Sequence, residues 1–342
     1  MKLVEFRVIG ACMALCLLQQ PVMAQDSGYE IGLGKSVNDW LTLGGYFSTE
    51  YEKSSNEHQL QLDDVAVMAY GEFNNRFSYL LELESVNAYV ANLERDTRSS
   101  NFPPTIERLY FDYKHSDQLS VRAGKQITPV GYWNQQPINV LRETSSSPRF
   151  SREMVPKFLT GIDVHGFAPL GEDLTYHVYL QNSRDMDQAN INIKPESHYG
   201  FALSKQYGNG WRIGGSAGKF KEAIGSTSGT RTATRYWQLN SRFDNERYSL
   251  IAEGIVNTES AIGVGRARSK AVYVQGEYRY KPRHSLISRL EYFHDTGAAV
   301  PERIGILGYS FRPVFPVSLK FEYQWHQESS NNRFVSSFSV LF

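Results

Sequence analysis

From residue 40 onward the chain alternates apolar and polar positions with a period of two, the mark of strands whose two faces meet different surroundings. In "LKFEYQW", Leu319, Phe321, Tyr323 and Trp325 share one parity, and Lys320, Glu322 and Gln324 share the other. "LTYHVYL" sets Leu174, Tyr176, Val178 and Leu180 against Thr175, His177 and Tyr179, and "FSYLLEL" carries Phe77, Tyr79, Leu81 and Leu83 on one face. The pattern predicts about sixteen strands of roughly ten residues. They fall at 40–52, 59–73, 77–87, 105–115, 118–127, 159–168, 173–182, 197–207, 211–221, 234–243, 247–257, 269–281, 285–294, 302–311, 317–326 and 333–342. The last strand keeps its alternation to the final residue, with Phe334, Phe338, Val340 and Phe342 opposite Ser337 and Ser339.

The connections alternate as well. From residue 74 onward, short turns such as "NNR" (74–76), "HSD" (115–117), "GNG" (208–210) and "KPRH" (281–284) take turns with longer Ser-, Asn- and Gly-rich links such as 183–197 and 222–233. Short turns at one end and long loops at the other are the pattern of a β-barrel crossing an outer membrane. Trp40, Phe73, Phe77, Tyr113, Phe167, Tyr207, Trp211, Phe243, Tyr248 and Tyr280 cluster beside the short turns, as an interfacial aromatic girdle would. An even strand number lets the last strand pair with the first, so that no unpaired edge meets hydrocarbon. The expected fold is therefore all-β: a closed antiparallel transmembrane barrel of about sixteen strands.

Composition narrows the picture. Met1–Ala24 has Lys2 and Arg7 ahead of the apolar run Val8–Leu18 and ends on Val22-Met23-Ala24, which reads as a secretory signal peptide cleaved after Ala24. A lipoprotein signal ending at Cys12 is the weaker reading, because it leaves too short an apolar run. Residues 25–342 then form one barrel domain, and both cysteines, Cys12 and Cys16, lie in the signal. The formal net charge is zero, which gives no support to nucleic acid as a partner. Mean hydropathy is −0.42, and no apolar run approaches the eighteen or so residues of a spanning helix.

A barrel of about sixteen strands leaves room for water inside. The face opposite the greasy one carries Glu72, Glu82, Glu84, Arg108, Asp112, Lys114, Arg122, Asp163, Arg212, Arg242, Glu253, Glu277, Arg279, Arg289, Glu291, Lys320 and Glu322. In a dry core each would be costly unless paired, and lumen water removes that penalty. The longest unpatterned stretch, 128–158, follows the fifth strand and so forms the third long loop. It is expected to fold inward and narrow the lumen, the alternative being a solvated external flap. Expected pore-lining and constriction residues are Arg108, Asp112, Arg122, Tyr132, Trp133, Arg142, Glu143, Arg149, Arg152 and Glu153.

The hairpin "RLYFDYKHSDQLSVRAGKQITPVGYWN" (108–134) joins strand, tight turn and strand to a Thr-Pro-x-Gly break. It resembles the corresponding hairpin of the phosphate-selective porin O and P superfamily of Gram-negative bacteria. Pro129 ends ladder donation and Gly131 permits a sharp turn, releasing the chain from the wall. The resemblance implies a homotrimeric passive channel in the Gram-negative outer membrane, surrounded by lipid. Members that select phosphate line the pore with arginine and lysine, whereas the polar face here carries eight basic and nine acidic residues. The terminal strand ending on Phe342 resembles the assembly signal that outer-membrane proteins present to the barrel-assembly machinery.

Together these features lead to a passive diffusion porin for small hydrophilic solutes and ions. The alternative is a channel selective for an anion such as phosphate or a dicarboxylate, resting on Arg108, Arg122, Arg142, Arg149 and Arg152 and on Tyr132, Trp133 and Asn134 as ligand contacts. An enzyme is not expected, since the eight histidines are scattered singly with no nucleophile motif beside them. His165 and His177 face each other across one hairpin near Asp163, but wall residues are the simpler reading, because a metal ion would want a third ligand. No cofactor and no metal are expected. A pure scaffold or adhesin lacks an appended domain, and energy-coupled uptake lacks a plug domain.

Overall fold

A computed structural model describes residues 29–30, 32–55, 57–101, 103–169, 173–187, 189, 192–222, 232–261, 264–295 and 300–342. The expected signal peptide and most of the 222–233 link lie outside the described residues. One antiparallel sheet closes on itself as a sixteen-strand barrel. Its wall strands are β1 Leu41–Ser54, β2 His58–Phe73, β3 Phe77–Asn92, β4 Thr105–Ser116, β5 Leu119–Ile127, β6 Phe158–Phe167, β7 Leu174–Gln181 and β8 Pro195–Gln206. The circuit continues through β9 Trp211–Glu222, β10 Thr232–Asp244, β11 Tyr248–Ala261, β12 Val264–Lys281, β13 His284–His294, β14 Glu302–Phe311, β15 Val317–His326 and β16 Arg333–Leu341. Three short strands, Tyr29–Glu30, Gly34–Asn38 and Thr97–Ser100, lie beside it. Among the described residues no helix is long and apolar enough to cross a membrane.

Each wall strand pairs with its sequence neighbours, and β16 closes on β1 in a register running from Arg333 opposite Ser54 to Leu341 opposite Tyr46. Phe342 completes the seam. Its amide donates to the Gly45 carbonyl and its carbonyl accepts from the Gly45 amide, both at 2.8 Å. The pairing expected between the last strand and the first is thus present.

The two parities also separate as the alternation predicts. Trp237 is 68% exposed and Leu239 74%, while the intervening Gln238 is buried. Phe321, Tyr323 and Trp325 are exposed, while Lys320, Glu322 and Gln324 are buried. At the turn end, Trp40 stacks on Phe73, Phe77 lies against Tyr113, and Trp211 lies against Phe243. This ring of aromatics carries the expected girdle.

Observed strands run longer than the alternation predicts where the backbone bulges. β3 continues to Asn92 instead of stopping at 87, through a left-handed Asn87 (φ 51°), and its register against β2 shifts between Leu62 and Asp64. A bulge reverses the side-chain parity beyond it, so a period-two reading breaks off there although the strand does not.

Candidate functional site

Segment 128–157 leaves β5 at Thr128 and returns at Phe158. It contains two single-turn 3-10 helices, Trp133–Gln135 and Asn139–Leu141, and one short helix α1, Arg149–Glu153. Its exit is set by Gly131 at φ +72°, where a Cβ would lie 2.4 Å from Oε2 of Glu253. Only glycine fits that approach without strain. Directly after it, the amides of Tyr132 and Trp133 donate to the two oxygens of the Glu253 carboxylate at 2.7 and 2.8 Å. Tyr273 Oη also donates to Glu253, and Gln238 Nε2 does so at 3.2 Å.

The same arrangement recurs along the segment. The amides of Ser145 and Ser146 donate to Glu322, joined by the Ser146 hydroxyl at 2.6 Å. The Arg149 amide donates to Glu291 at 2.9 Å, and Asn257 Nδ2 donates to the Met154 carbonyl at 2.6 Å. Arg289 donates to Thr144 Oγ1 at 2.7 Å and to the Ser146 carbonyl at 2.9 Å, while Lys320 Nζ donates to Asn139 Oδ1 at 2.8 Å. Among them, Glu253 of β11, Arg289 and Glu291 of β13, and Lys320 and Glu322 of β15 are polar-face residues expected to face lumen water. Instead they satisfy the backbone of the segment, which meets the demand that buried charges and irregular backbone find partners.

On the side of β2–β4, a cavity of about 370 Å³ separates the segment from the wall. Asp63, Asp64, Glu84 and Glu107 line it from the wall, and Arg142, Arg152 and Lys157 from the segment. Lys157 Nζ reaches Glu107 Oε1 at 2.7 Å. Carboxylates on one bank and cations on the other make a transverse field across a narrow polar space. A second cavity, about 580 Å³, opens toward the turn end and is lined by Tyr132, Gln135, Gln136, His177, Arg212 and Gln238 among others.

Two of the four wall carboxylates, one of the pair Asp63-Asp64 and Glu107, stand inward because of bulges. Ser48 of β1 is opposed by both Asp63 and Asp64, since the register jumps from Thr49 opposite Leu62 to Phe47 opposite Val65. The Ser48 hydroxyl then bonds Asp64 Oδ2 at 3.3 Å. Against β3, Arg108 faces Glu82 but Ile106 faces Leu83, so Glu107 is an extra residue and lies on the same side as Arg108. Strict alternation places one of Asp63 and Asp64 inward but not both, and hides Glu107 from a sequence reading. The available signal was the doublet Asp63-Asp64 inside an apolar strand, because two adjacent carboxylates cannot both face inward unless the ladder bulges between them.

The ten expected lining residues are dispersed. Trp133, Arg142 and Arg152 line the smaller cavity and Tyr132 the larger. Tyr132 and Trp133 are buried and covered by cations, with Arg242 4.4 Å from the Tyr132 ring centre and Arg289 5.4 Å from that of Trp133. They serve to seat the segment, as does Asn134, which donates to the Thr128 carbonyl at 2.9 Å. Arg108 pairs with Glu82, and Arg122 pairs with Asp112 at 2.6 Å toward the turn end. Arg149 pairs with Glu153 at 2.8 Å and with Glu302, and Glu143 is buried near Gln275. Of the five expected arginines, Arg142 and Arg152 share the smaller cavity, while Arg108, Arg122 and Arg149 are each held by a carboxylate.

This is the fold class of outer-membrane porins and channels. No protein-family model matches the chain, and no curated protein does. Among solved structures, OmpT, an outer-membrane protein of Vibrio cholerae, is similar over 92% of this chain and 100% of its own, with a TM-score of 0.64 at 11% identity. A structure of OmpT in trimer form has a TM-score of 0.60 at 10% identity, covering 88% of this chain and 99% of its own. The anion-selective porin of Comamonas acidovorans reaches 0.62 at 10% identity, covering 88% and 99%. The outer-membrane channel DcaP of Acinetobacter baumannii reaches 0.56 at 12%, covering 92% and 100%. At such identities the likeness is one of fold.

Proposed function

We propose that the chain is an outer-membrane porin, a passive diffusion channel for small hydrophilic solutes and ions, with segment 128–157 folded into the lumen as its constriction. The observation that carries this reading is the 370 Å³ cavity with carboxylates on the wall and Arg142, Arg152 and Lys157 opposite. Such a field orders water and hinders apolar solutes, while polar solutes exchange hydration for contacts with both banks. The exposed apolar parity meets lipid in a Gram-negative outer membrane, and three copies assemble, as in the trimer form of OmpT. In this reading the precursor carries the signal peptide 1–24, and Phe342 is the residue read by the barrel-assembly machinery. The protein is a conduit and not an enzyme. The likeness of 108–134 to the phosphate-selective porin O and P superfamily rests on the sequence, and the left-handed Gly131, just after Pro129 and the end of β5 at Ile127, accords with the chain break read there.

The anion-selective alternative draws less support. One fold neighbour is an anion-selective porin, but here Arg108, Arg122 and Arg149 are each held by a carboxylate. The deciding experiment is reconstitution of the mature chain in a planar bilayer under a salt gradient. Ohmic conductance with a small reversal potential is expected. A large anion-selective potential with block by phosphate or a dicarboxylate would establish the alternative, and the absence of conductance at every voltage would overturn both.

A further inference from the structure

The β6–β7 hairpin gathers a group of side chains that the channel reading does not use. His165 and His177 are directly opposite in the ladder, and Asp163 lies two residues from His165 on the same face. The two imidazoles stack with centroids 5.3 Å apart. His177 Nδ1 lies 2.8 Å from Asp163 Oδ2, and His165 Nδ1 lies 3.6 Å from the same oxygen. One ligand atom from each of the three residues falls within 4.8 Å of the others.

Proton bookkeeping shows what this group lacks. His165 Nε2 faces Asp112 Oδ2 at 3.4 Å, and Asp112 is itself bonded by Arg122 Nε at 2.8 Å and Nη2 at 2.6 Å. With its proton on Nε2, His165 turns the Nδ1 lone pair toward a carboxylate oxygen. Asp163 Oδ2 is then met by His177 Nδ1 at hydrogen-bond distance, 2.8 Å, while His165 Nδ1 is left without a partner. Consistently, His165 Nδ1 and Asp163 Oδ1 are both buried without a hydrogen-bond partner, and Asp163 as a whole is only 1% exposed. A cation in place of the proton between His177 Nδ1 and Asp163 Oδ2 would be ligated by both of those atoms and would also give His165 Nδ1 a partner.

The spacing indicates which cation. Ligands about 2.0–2.1 Å from a tetrahedral Zn²⁺ stand roughly 3.3 Å apart. The observed 2.8 and 3.6 Å bracket that value, and all three ligand atoms lie within 4.8 Å of one another, so the site closes with a shift of the three side chains toward a common centre. Two imidazole nitrogens and one carboxylate oxygen suit borderline divalent transition metals better than Ca²⁺ or Mg²⁺, which prefer all-oxygen ligation. The Asp112 carboxylate behind His165 completes the carboxylate–histidine–metal relay that fixes tautomer and ring orientation at such centres. His177 lines the 580 Å³ cavity, leaving the fourth position open to water.

We infer that Asp163, His165 and His177 form a wall site for one Zn²⁺-class cation, oriented by Asp112 and open to the turn-end cavity. The inference is independent of conduction. Its test is titration of the full, tag-free mature chain in detergent, after chelator treatment, with Zn²⁺ by calorimetry and with Co²⁺ by visible absorption. One ion per chain and the intense absorption of tetrahedral Co²⁺ are expected. His165→Ala and His177→Gln should each weaken binding at least about tenfold, and Asp112→Asn about tenfold. His58→Ala, on β2 and bonded to Tyr51, should leave it unchanged. Heat-modifiable gel mobility confirms that each variant is folded. No saturable binding, an octahedral Co²⁺ spectrum, or binding retained in both the His165 and His177 variants would overturn the site.

Discussion

Lys157 donates to Glu107 across 2.7 Å, joining the last residue before β6 to a carboxylate that stands inward only because β4 bulges beneath it. The pair ties the two banks of the smaller cavity together. Glu107 is buried, while the Lys157 side chain is 30% exposed, so the lysine is the partner open to the cavity. Lys157→Glu reverses the charge at one position of that bank, leaving Arg142 and Arg152 as its cations, and sets two carboxylates against each other. One unit charge acting over several ångströms in a partly hydrated space is worth about 1 kcal/mol, roughly a fivefold change in relative permeability. Reversal potentials in a KCl gradient should shift toward cations in Lys157→Glu, and less so in Lys157→Ala. An unchanged potential would remove this cavity from the conduction path.

Glu253 makes a prediction of a different kind. Its carboxylate receives the Tyr132 and Trp133 amides together with Tyr273 and Gln238. In Glu253→Ala, those two amides lose their acceptor inside the barrel, a loss of about 1–3 kcal/mol for each buried donor left unpaired. The barrel should still close, since none of its ladder bonds is touched. The segment should loosen, giving noisier single-channel current and new protease cleavage within 128–157. A variant with wild-type current noise and wild-type protease resistance would show that the clamp is redundant with those at Glu322 and Glu291.

Much of this was legible from alternation and connection length. All sixteen wall strands, the closing pair, the aromatic ring beside the short turns and the position of segment 128–157 follow from period-two patterning and connection length, because one face of the wall is kept apolar from strand to strand. The inward face has no such enforcement. Water, an ion pair or the backbone of a buried loop can each satisfy Glu253, Arg289 or Lys320, and the choice depends on contacts between residues more than a hundred positions apart, such as Tyr132 with Glu253. Glu107 and the pairing of Asp63 with Asp64 escape for another reason: a bulge shifts parity by one residue, which a period-two reading does not register. The metal-site residues were visible as His165, His177 and Asp163, but Asp112 joins them only through the β4–β5–β6 register.

The seam offers a test of closure. A Cβ added to Gly45 would lie 2.4 Å from the Ala66 carbonyl and 2.9 Å from the Phe342 ring. Gly45→Val therefore forces apart β1, β2 and the terminal residue at the one place where the sheet must join itself. Since an open edge has no partner in hydrocarbon, the expected result is failure of assembly and not a stable, weakened barrel. The heat-modifiable fraction on semi-native gels should fall sharply in Gly45→Val. It should fall less in Phe342→Tyr, which keeps both backbone bonds to Gly45. Normal assembly of Gly45→Val would show that the seam tolerates a shifted register.

Acid should release the link between β7 and β8 before it opens the barrel. Asp187 Oδ2 accepts the amide of Ile106 and Oδ1 that of Ala189, both at 3.0 Å, and Lys125 Nζ donates to the Asp187 carbonyl at 2.8 Å while pairing with Asp185 at 3.1 Å. Burial acts to raise the Asp187 pKa, but the two amide bonds and the Lys125 charge outweigh it and hold the carboxyl below the ordinary aspartate value. A depressed pKa contributes stability that is complete above the unfolded value, about 3.9, and is lost as pH falls through the lower folded value. The Ile106 amide should therefore lose protection from hydrogen exchange below about pH 4, in a step that Asp187→Asn abolishes while the ladder amides of β4 and β5 stay protected. Simultaneous loss of the ladder amides would mean that the link holds the wall and is not merely held by it.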